Sequence, residues 1–190
     1  MGWGRLGFRA TLLAAVVVFS FTAIAQQGAL DLEGHPINPL TASQGKVVVL
    51  VFLRRDCPVS GRYAPTIQQI SQRYAETARF WLVYPDKSET PEVIRKSVAE
   101  YGYRLPVLRD PEHRLAALAH VQITPEVAVF NRGGKLTYDG RIDDLYIDLS
   151  LSRPVATTHE LEDAIHAAAA GRTLARQEVR GVGCYIADLE

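Results

Sequence analysis

The stretch "KVVVLVFLRRDCPVSGRYAP", residues 46–65, carries one of the two cysteines in a chain of 190 residues. After Lys46 its first part is an unbroken apolar run rich in Val, ending at Leu53. A short run without polar alternation suits a strand buried on both faces. Pro58 then fits the first turn of a helix, where a missing N–H costs nothing. Val59, Tyr63, Ile67, Ile70 and Tyr74 recur at helical spacing and predict one helix, kinked at Pro65. Cys57 therefore falls at a strand-to-helix turn, on the N-cap or in the first turn. Unpaired N–H groups and the helix dipole favour an anion there. Such positions lower a thiol's pKa, and the thiolate is the nucleophile. Arg54 and Arg55 work in the same direction, and Asp56 against it. In open α/β sheets ligands gather beyond the carboxyl ends of strands, which is where this thiol lies. The competing reading is an inert cysteine acting as a small apolar residue. Charged neighbours and Pro58 make this a poor place for a core.

Outward from this stretch, elements alternate. "RFWLVY" (79–84) reads as a second buried strand. Thr90 caps a helix that begins at Pro91, carries Ile94, Val98 and Tyr101 on one face, and ends at Gly102. "LPVLRD" (105–110) is a short strand, and Asp110-Pro111 opens a helix with Leu115 and Leu118 inward. "EVAVF" (126–130) and "KLTY" (135–138) form a hairpin about "NRGG". Thr157 and Glu160 read as a capping box for a helix through Leu161, Ile165 and Ala168, stopped by Gly171. The order β-α-β-α-β-α-β-β-α predicts an α/β fold: a central mixed sheet with helices on both faces. "LDLEGHPINPL" (30–40) adds a small N-terminal hairpin.

Arg5 and Arg9 precede the apolar "TLLAAVVVFSFTAIA" (11–25), which ends in a small-x-small site. This reads as a secretory leader cleaved after Ala25. The run falls short of the ~20 residues that a spanning helix needs, so the mature chain is not expected to span a membrane. About 165 residues remain, enough for one domain with its own core. Without Arg5 and Arg9, 19 basic residues face 21 acidic ones, a net charge near −2. No basic patch suggests nucleic acid. Export would place Cys57 and Cys184 in an oxidising compartment, where two thiols are expected to be paired or cycling.

"VVVLVFLRRDCPVS…YAP" followed by "ITPEVAVFNRGGKLTYDGRIDD" resembles thioredoxin-like domains of the exported redoxin type, over roughly residues 31–171. That group includes periplasmic thiol-disulfide oxidoreductases of cytochrome maturation and peroxiredoxin-like proteins. The resemblance implies a thioredoxin-like fold for residues 26–171, after a leader (1–25) and before a C-terminal Gly-Cys tail (172–190). It makes Cys57 the attacking cysteine of a C-x-x-C motif whose second position is Ser60. Pro65 matches the proline that kinks the active-site helix. Thr124-Pro125 matches a cis-proline loop that lies against the cysteine and pairs with substrate backbone. Glu126 matches an acidic residue near the thiol, suited to moving protons; the bland reading is a solvated glutamate at a strand start. Pro58, Ser60, Thr124, Pro125 and Glu126 thus form the expected substrate-binding set. The implied partners are protein or small-molecule thiols and disulfides, or a peroxide, with a thiol reductant; no cofactor and no metal is expected. The departures are specific. Ser60 rules out the usual C-x-x-C disulfide, and Val51 stands where thioredoxins bury an acid. Peroxiredoxins place Pro and Thr seven and three residues before their cysteine, where this chain has Leu50 and Arg54. Arg54 or Arg55 could polarise a peroxide in their place.

Cys184 lies in "RGVGCYIADLE" (180–190), just after Gly181 and Gly183, which make the backbone flexible enough that the tail could reach back to Cys57. Exported relatives with a Gly-Cys tail imply that it resolves an oxidised Cys57. A permanent Cys57–Cys184 bridge is the alternative; closing about 128 residues, it would stabilise the fold by ~5 kcal/mol in the chain-entropy model. In that case the chain is a non-catalytic binding domain. Unpaired or intermolecular cysteines are the third possibility. His159 and His166 share a helix face, and His113 and His120 share another helix, but neither pair has a third ligand, so all five histidines, His35 included, read as surface residues. A copper-delivery protein of related fold would carry C-x-x-x-C, and position 61 is Gly. The adjacent carboxylates of "RIDD" (141–144) read as a solvated turn.

Overall fold

The computed structural model describes residues 29–172 and 179–187, together with Met1 and Leu189. Apart from Met1, the expected leader lies outside the described residues. Fourteen short elements follow: β1 (Ala29–Leu30), β2 (Pro36–Ile37), β3 (Val47–Phe52), α1 (Pro58–Arg62), α2 (Ala64–Arg73), β4 (Ala78–Tyr84), α3 (Pro91–Glu100), β5 (Val107–Arg109), α4 (Arg114–Ala119), β6 (Ile123–Thr124), β7 (Glu126–Phe130), β8 (Leu136–Gly140), α5 (Glu160–Ala169) and β9 (Cys184–Tyr185). The main sheet runs β2-β1-β5-β4-β3-β7-β8. Its centre is parallel, β3 against β4 and β4 against β5; β7 joins β3 antiparallel. This is the mixed sheet that the sequence predicts, with the N-terminal hairpin of β1 and β2 added at one edge.

Every residue of β3 is buried, because helices cover both of its faces. Val47, Val49 and Val51 face one cluster with Ile67, Ile94 and Ile165. Val48, Leu50 and Phe52 face the other, with Leu115, Ala116 and Ala119 of α4. Ile165 of α5 is fully buried in the first cluster. Ile165→Ala is expected to cost about 3 kcal/mol, from lost burial plus the residual cavity. Equilibrium urea unfolding should show a lower midpoint with an unchanged slope. Among the described residues no helix is long and apolar enough to cross a membrane.

Several local readings need correction. The single helix expected after Cys57 is two, joined at Tyr63, which is both the C-cap of α1 and the N-cap of α2. Pro65 belongs to the first turn of α2, so the break comes two residues before it. The helix expected from Asp110 starts only at Arg114, because the buried Asp110 carboxylate accepts from the Ala116 N–H at 2.9 Å. His113 and His120, expected to share a helix, are the N-cap and C-cap at the two ends of α4.

The capping box at Thr157 is absent: His159 is the N-cap of α5. The Thr157 N–H and hydroxyl both donate to Asp144, each at 2.5 Å. Glu160 instead pairs with Arg141. Nor is "RIDD" a solvated turn, since Asp143 and Asp144 are both buried. Asp143 accepts from the Tyr63 hydroxyl at 2.5 Å, and Asp144 also pairs with Arg153 at 3.0 Å. Hydrogen bonds from Thr157 and Thr158 hold Asp144 well below the usual carboxylate range. These carboxylates tie the segment after β8 to the α1–α2 junction and to the start of α5.

Candidate active site

β3 ends at Phe52, and five residues later the chain enters α1 with Cys57 as N-cap in an extended conformation. No side chain caps this helix, so its N–H groups are left to the sulfur. Cys57 is buried, 1% exposed. Its thiol donates to the Thr124 carbonyl oxygen at 3.1 Å. Pro58 opens α1 and is exposed beside it. Ser60 occupies the vacant C-x-x-C position, buried, with its hydroxyl accepting from the Arg54 N–H at 3.5 Å.

The Thr124–Pro125 bond is cis, as the resemblance implies. Thr124 and Pro125 are both buried, and the Thr124 carbonyl at the end of β6 meets the thiol. Glu126 is fully buried too, so the solvated alternative falls. Burial pushes its carboxyl upward, against hydrogen bonds from Gly181 and Gln122 and the charge of Arg180. Those partners show what Glu126 holds. It accepts from the Gly181 N–H at 2.8 Å and lies 3.9 Å from the Arg180 guanidinium. It thus faces the C-terminal segment.

That segment is where Cys184 lies. The flanking glycines read in sequence as a flexible tether, but the described part of the tail is a seated strand. β9 pairs antiparallel with β6, placing Cys184 opposite Thr124. The Thr124 hydroxyl donates to the Cys184 carbonyl at 3.2 Å, and the Ile186 N–H donates to Gln122 O at 2.9 Å. Both cysteines are thiols. Burial works against a Cys57 thiolate, but hydrogen bonds from the Cys184 thiol, from Ser60 and from Val59 outweigh it and lower the Cys57 pKa. Cys184 is pushed up to about 11 by burial, by its bond to Cys57 and by repulsion from a Cys57 thiolate.

Arg54 is committed elsewhere. It pairs with Asp56 at 2.7 Å and Asp86 at 3.4 Å and donates to the Tyr185 carbonyl at 3.4 Å. The Arg55 N–H is held by the buried Glu89 at 2.8 Å. The Arg54 side chain and the Arg55 backbone therefore brace the Cys57 loop. Among the described residues no group of three or more His, Cys, Asp or Glu is placed to hold a metal ion.

The AhpC/TSA family model matches residues 18–139, from before β1 to β8 and including Cys57 and the cis-proline loop. The chain belongs to the AhpC/TSA family. No curated protein matches it. Among solved structures, a hypothetical protein from Sinorhizobium meliloti is similar with a TM-score of 0.67 and 21% identity, over 84% of this chain and 88% of that one. A secreted Mycobacterium tuberculosis disulfide oxidoreductase, described as homologous to E. coli DsbE, gives 0.54 at 21% identity, over 75% and 96%. A putative thiol:disulfide interchange protein DsbE from Chlorobium tepidum gives 0.58 at 23%, over 75% and 92%. At these identities the likeness establishes the fold, which is thioredoxin-like. This AhpC/TSA member is thus a thioredoxin-like redoxin, and its tail from residue 179 lies outside the matched span.

Sequence reasoning named Cys57, Ser60, Thr124, Pro125, Glu126 and Cys184, and the fold brings all six to one place. It missed Arg180, the contact of Arg54 with Tyr185, and the hold of Glu126 on Gly181. The contacts of Arg54 and Glu126 join residues 131 and 55 positions apart. No local pattern announces such pairs.

Proposed function

We propose that this redoxin is an exported thiol enzyme in which Cys57 attacks an oxidant, a peroxide or a disulfide, and Cys184 resolves the product. The observation that carries the reading is the pairing of β9 with β6, which sets Cys184 opposite Thr124, the residue whose carbonyl accepts from the Cys57 thiol; the Cys57 pKa is lowered and that of Cys184 raised. With a peroxide, the Cys57 thiolate attacks one oxygen and the O–O bond breaks. Cys57 becomes a sulfenic acid, and the departing oxygen leaves as an alcohol or water after taking a proton. The Cys184 sulfur then attacks the sulfenic sulfur, forming the disulfide and releasing water. With a disulfide, Cys57 forms a mixed disulfide and expels one thiolate, and Cys184 expels the other. A dithiol returns both cysteines to thiols and is itself oxidised to a disulfide. Thr124 and Pro125 position the reacting group, Pro58 and Ser60 flank it, and neither step calls on a metal or a cofactor. The leader-like residues 1–25 support export, as does the secreted character of the Mycobacterium tuberculosis neighbour. The domain division follows: leader 1–25, redoxin domain 26–171 and Gly-Cys tail 172–190.

The test is the reduction potential of the mature chain, taken by quenching in graded dithiol buffers and mapping the thiols by mass. A Cys57–Cys184 disulfide reduced well above about −300 mV marks a working pair. A bond reduced only below that value marks a staple, and the chain is then a binding domain. Failure of any such bond to form removes Cys184 from the reaction.

A further inference from the structure

A cavity of about 640 Å³, lined by neither cysteine nor the cis-proline loop, lies between α2, α5 and the segment that follows β8. Ile70, Ile142 and Leu145 give it apolar walls, and Val155, also in the lining, is exposed. Asp143 lines it too and is only 7% exposed. Its Oδ1 accepts from the Tyr63 hydroxyl at 2.5 Å and from the Leu145 N–H at 2.9 Å. These bonds let the carboxylate be buried, but they do not cancel its charge. The nearby guanidiniums are engaged elsewhere, Arg141 with Glu160 and Arg153 with Asp144. Arg73, the one Lys or Arg in the lining, is closed on Glu162 at 2.6 Å. Glu162 also accepts from the Tyr74 hydroxyl at 2.9 Å, and that hydroxyl meets His166 Nε2 at 2.8 Å. Asp163 adds a further carboxylate to the lining, while His159 and His166 add positive charge only when protonated.

We propose that this cavity binds a small organic cation, a primary ammonium on an aliphatic body, with the charged group at Asp143. A buried charge is ordinarily paired, and Asp143 lacks a cation of its own among the described residues. The remaining lining cannot supply one, because Arg73 already answers Glu162. An anion would meet three carboxylates, Asp143, Glu162 and Asp163, against one guanidinium. A bare metal ion does not fit, since among the described residues no three His, Cys, Asp or Glu converge on one point. The apolar walls ask for hydrocarbon, and a bound aliphatic chain would cover part of the exposed Val155. A largely apolar cavity with a single charged anchor is how small-molecule sites combine affinity with orientation. Neither thiol takes part, so the inference stands apart from the redox reading.

The test is calorimetric titration of the full-length mature chain with n-hexylammonium chloride, and with hexan-1-ol as its neutral counterpart. Wild type should bind the ammonium saturably and the alcohol about tenfold or more weakly, the difference expected for a hydrogen bond to a charged partner. Asp143→Asn keeps an oxygen for Tyr63 and Leu145 but removes the charge. It should bring the two ligands to within about twofold of each other. Ala156→Phe is the second variant, should the first fold poorly; it fills part of the cavity, leaves Asp143 in place and should weaken the ammonium by about tenfold. Absence of saturable ammonium binding to wild type overturns the proposal, and so does equal binding of the two ligands. It is overturned as well if folded Asp143→Asn keeps the ammonium preference, or if Ala156→Phe binds the ammonium as wild type does. Cys57→Ser should bind the ammonium unchanged, so the outcome is read without turnover and is separate from that of the redox reading.

Discussion

Cys57→Ser is expected to abolish peroxide and disulfide turnover, by roughly three orders of magnitude or more in a dithiol-coupled assay. A serine hydroxyl is almost wholly protonated near neutrality, whereas the Cys57 thiol is lowered by Cys184, Ser60 and Val59 despite its burial. The loss should be chemical and not structural. A serine oxygen still reaches the Thr124 carbonyl that accepts the Cys57 thiol at 3.1 Å. Core neighbours such as Val59 and Tyr63 are untouched, and thermal unfolding should move little. The substitution has a second consequence. Burial is the largest cause raising the Cys184 pKa, followed by the hydrogen bond and charge of Cys57. Removing Cys57 deletes the second and third causes and leaves the first. Cys184 should then ionise at lower pH than in wild type, yet still above an ordinary thiol. Alkylation of Cys184 against pH reads this directly. Residual turnover at the wild-type level in Cys57→Ser would mean that Cys184 is the nucleophile and the roles are reversed.

The parts of this architecture that were legible in the sequence are those with a local signal. The Val-rich run of β3 announces burial on both faces, and the Thr90-Pro91 cap announces α3, where the Thr90 side chain does accept from Val93. The strand-to-helix turn locates Cys57. What escaped reading depends on partners distant in the chain. Asp143 and Asp144 look solvated because two adjacent carboxylates are costly to bury. Their cost is met by Tyr63, Thr157, Thr158 and Arg153, none adjacent to them in sequence. Glu126 is the same case, buried because Gly181 lies across it. The tail is the clearest example. A strand of two residues has no periodicity to detect. Gly181 and Gly183 suit a flexible tether and a tight backbone contact equally well, and only the position of Thr124 decides between them.

Cys184→Ala carries the second large effect, in two readouts of opposite origin. The first is resolution. Once Cys57 is a sulfenic acid, wild type offers an internal thiol on β9, opposite the Thr124 that holds the Cys57 sulfur. Against an external thiol at ~1 mM, even a modest effective concentration of ~0.1 M gives the internal partner about a hundredfold advantage, and well-oriented groups far exceed that. Turnover should fall by about that factor, and peroxide should leave Cys57 as a sulfenate trappable by a carbon nucleophile. The second readout is ionisation. The Cys184 thiol is the first of the groups that lower the Cys57 pKa, so its removal raises that pKa. The thiolate is present above its pKa, so the profile of sulfenate formation against pH should shift to higher pH, and the rate at neutral pH should drop. A side chain acting only as packing would move neither the trapped sulfenate nor the profile. Stability separates the alternatives further. The backbone of β9 keeps its bond from the Thr124 hydroxyl in the variant, since the acceptor is the Cys184 carbonyl. A small change in unfolding free energy is therefore expected, whereas loss of a permanent bridge would remove ~5 kcal/mol. If Cys184→Ala unfolds readily while Cys57 never forms a sulfenate, the pair is a staple and the thiol at the end of β3 is not a nucleophile.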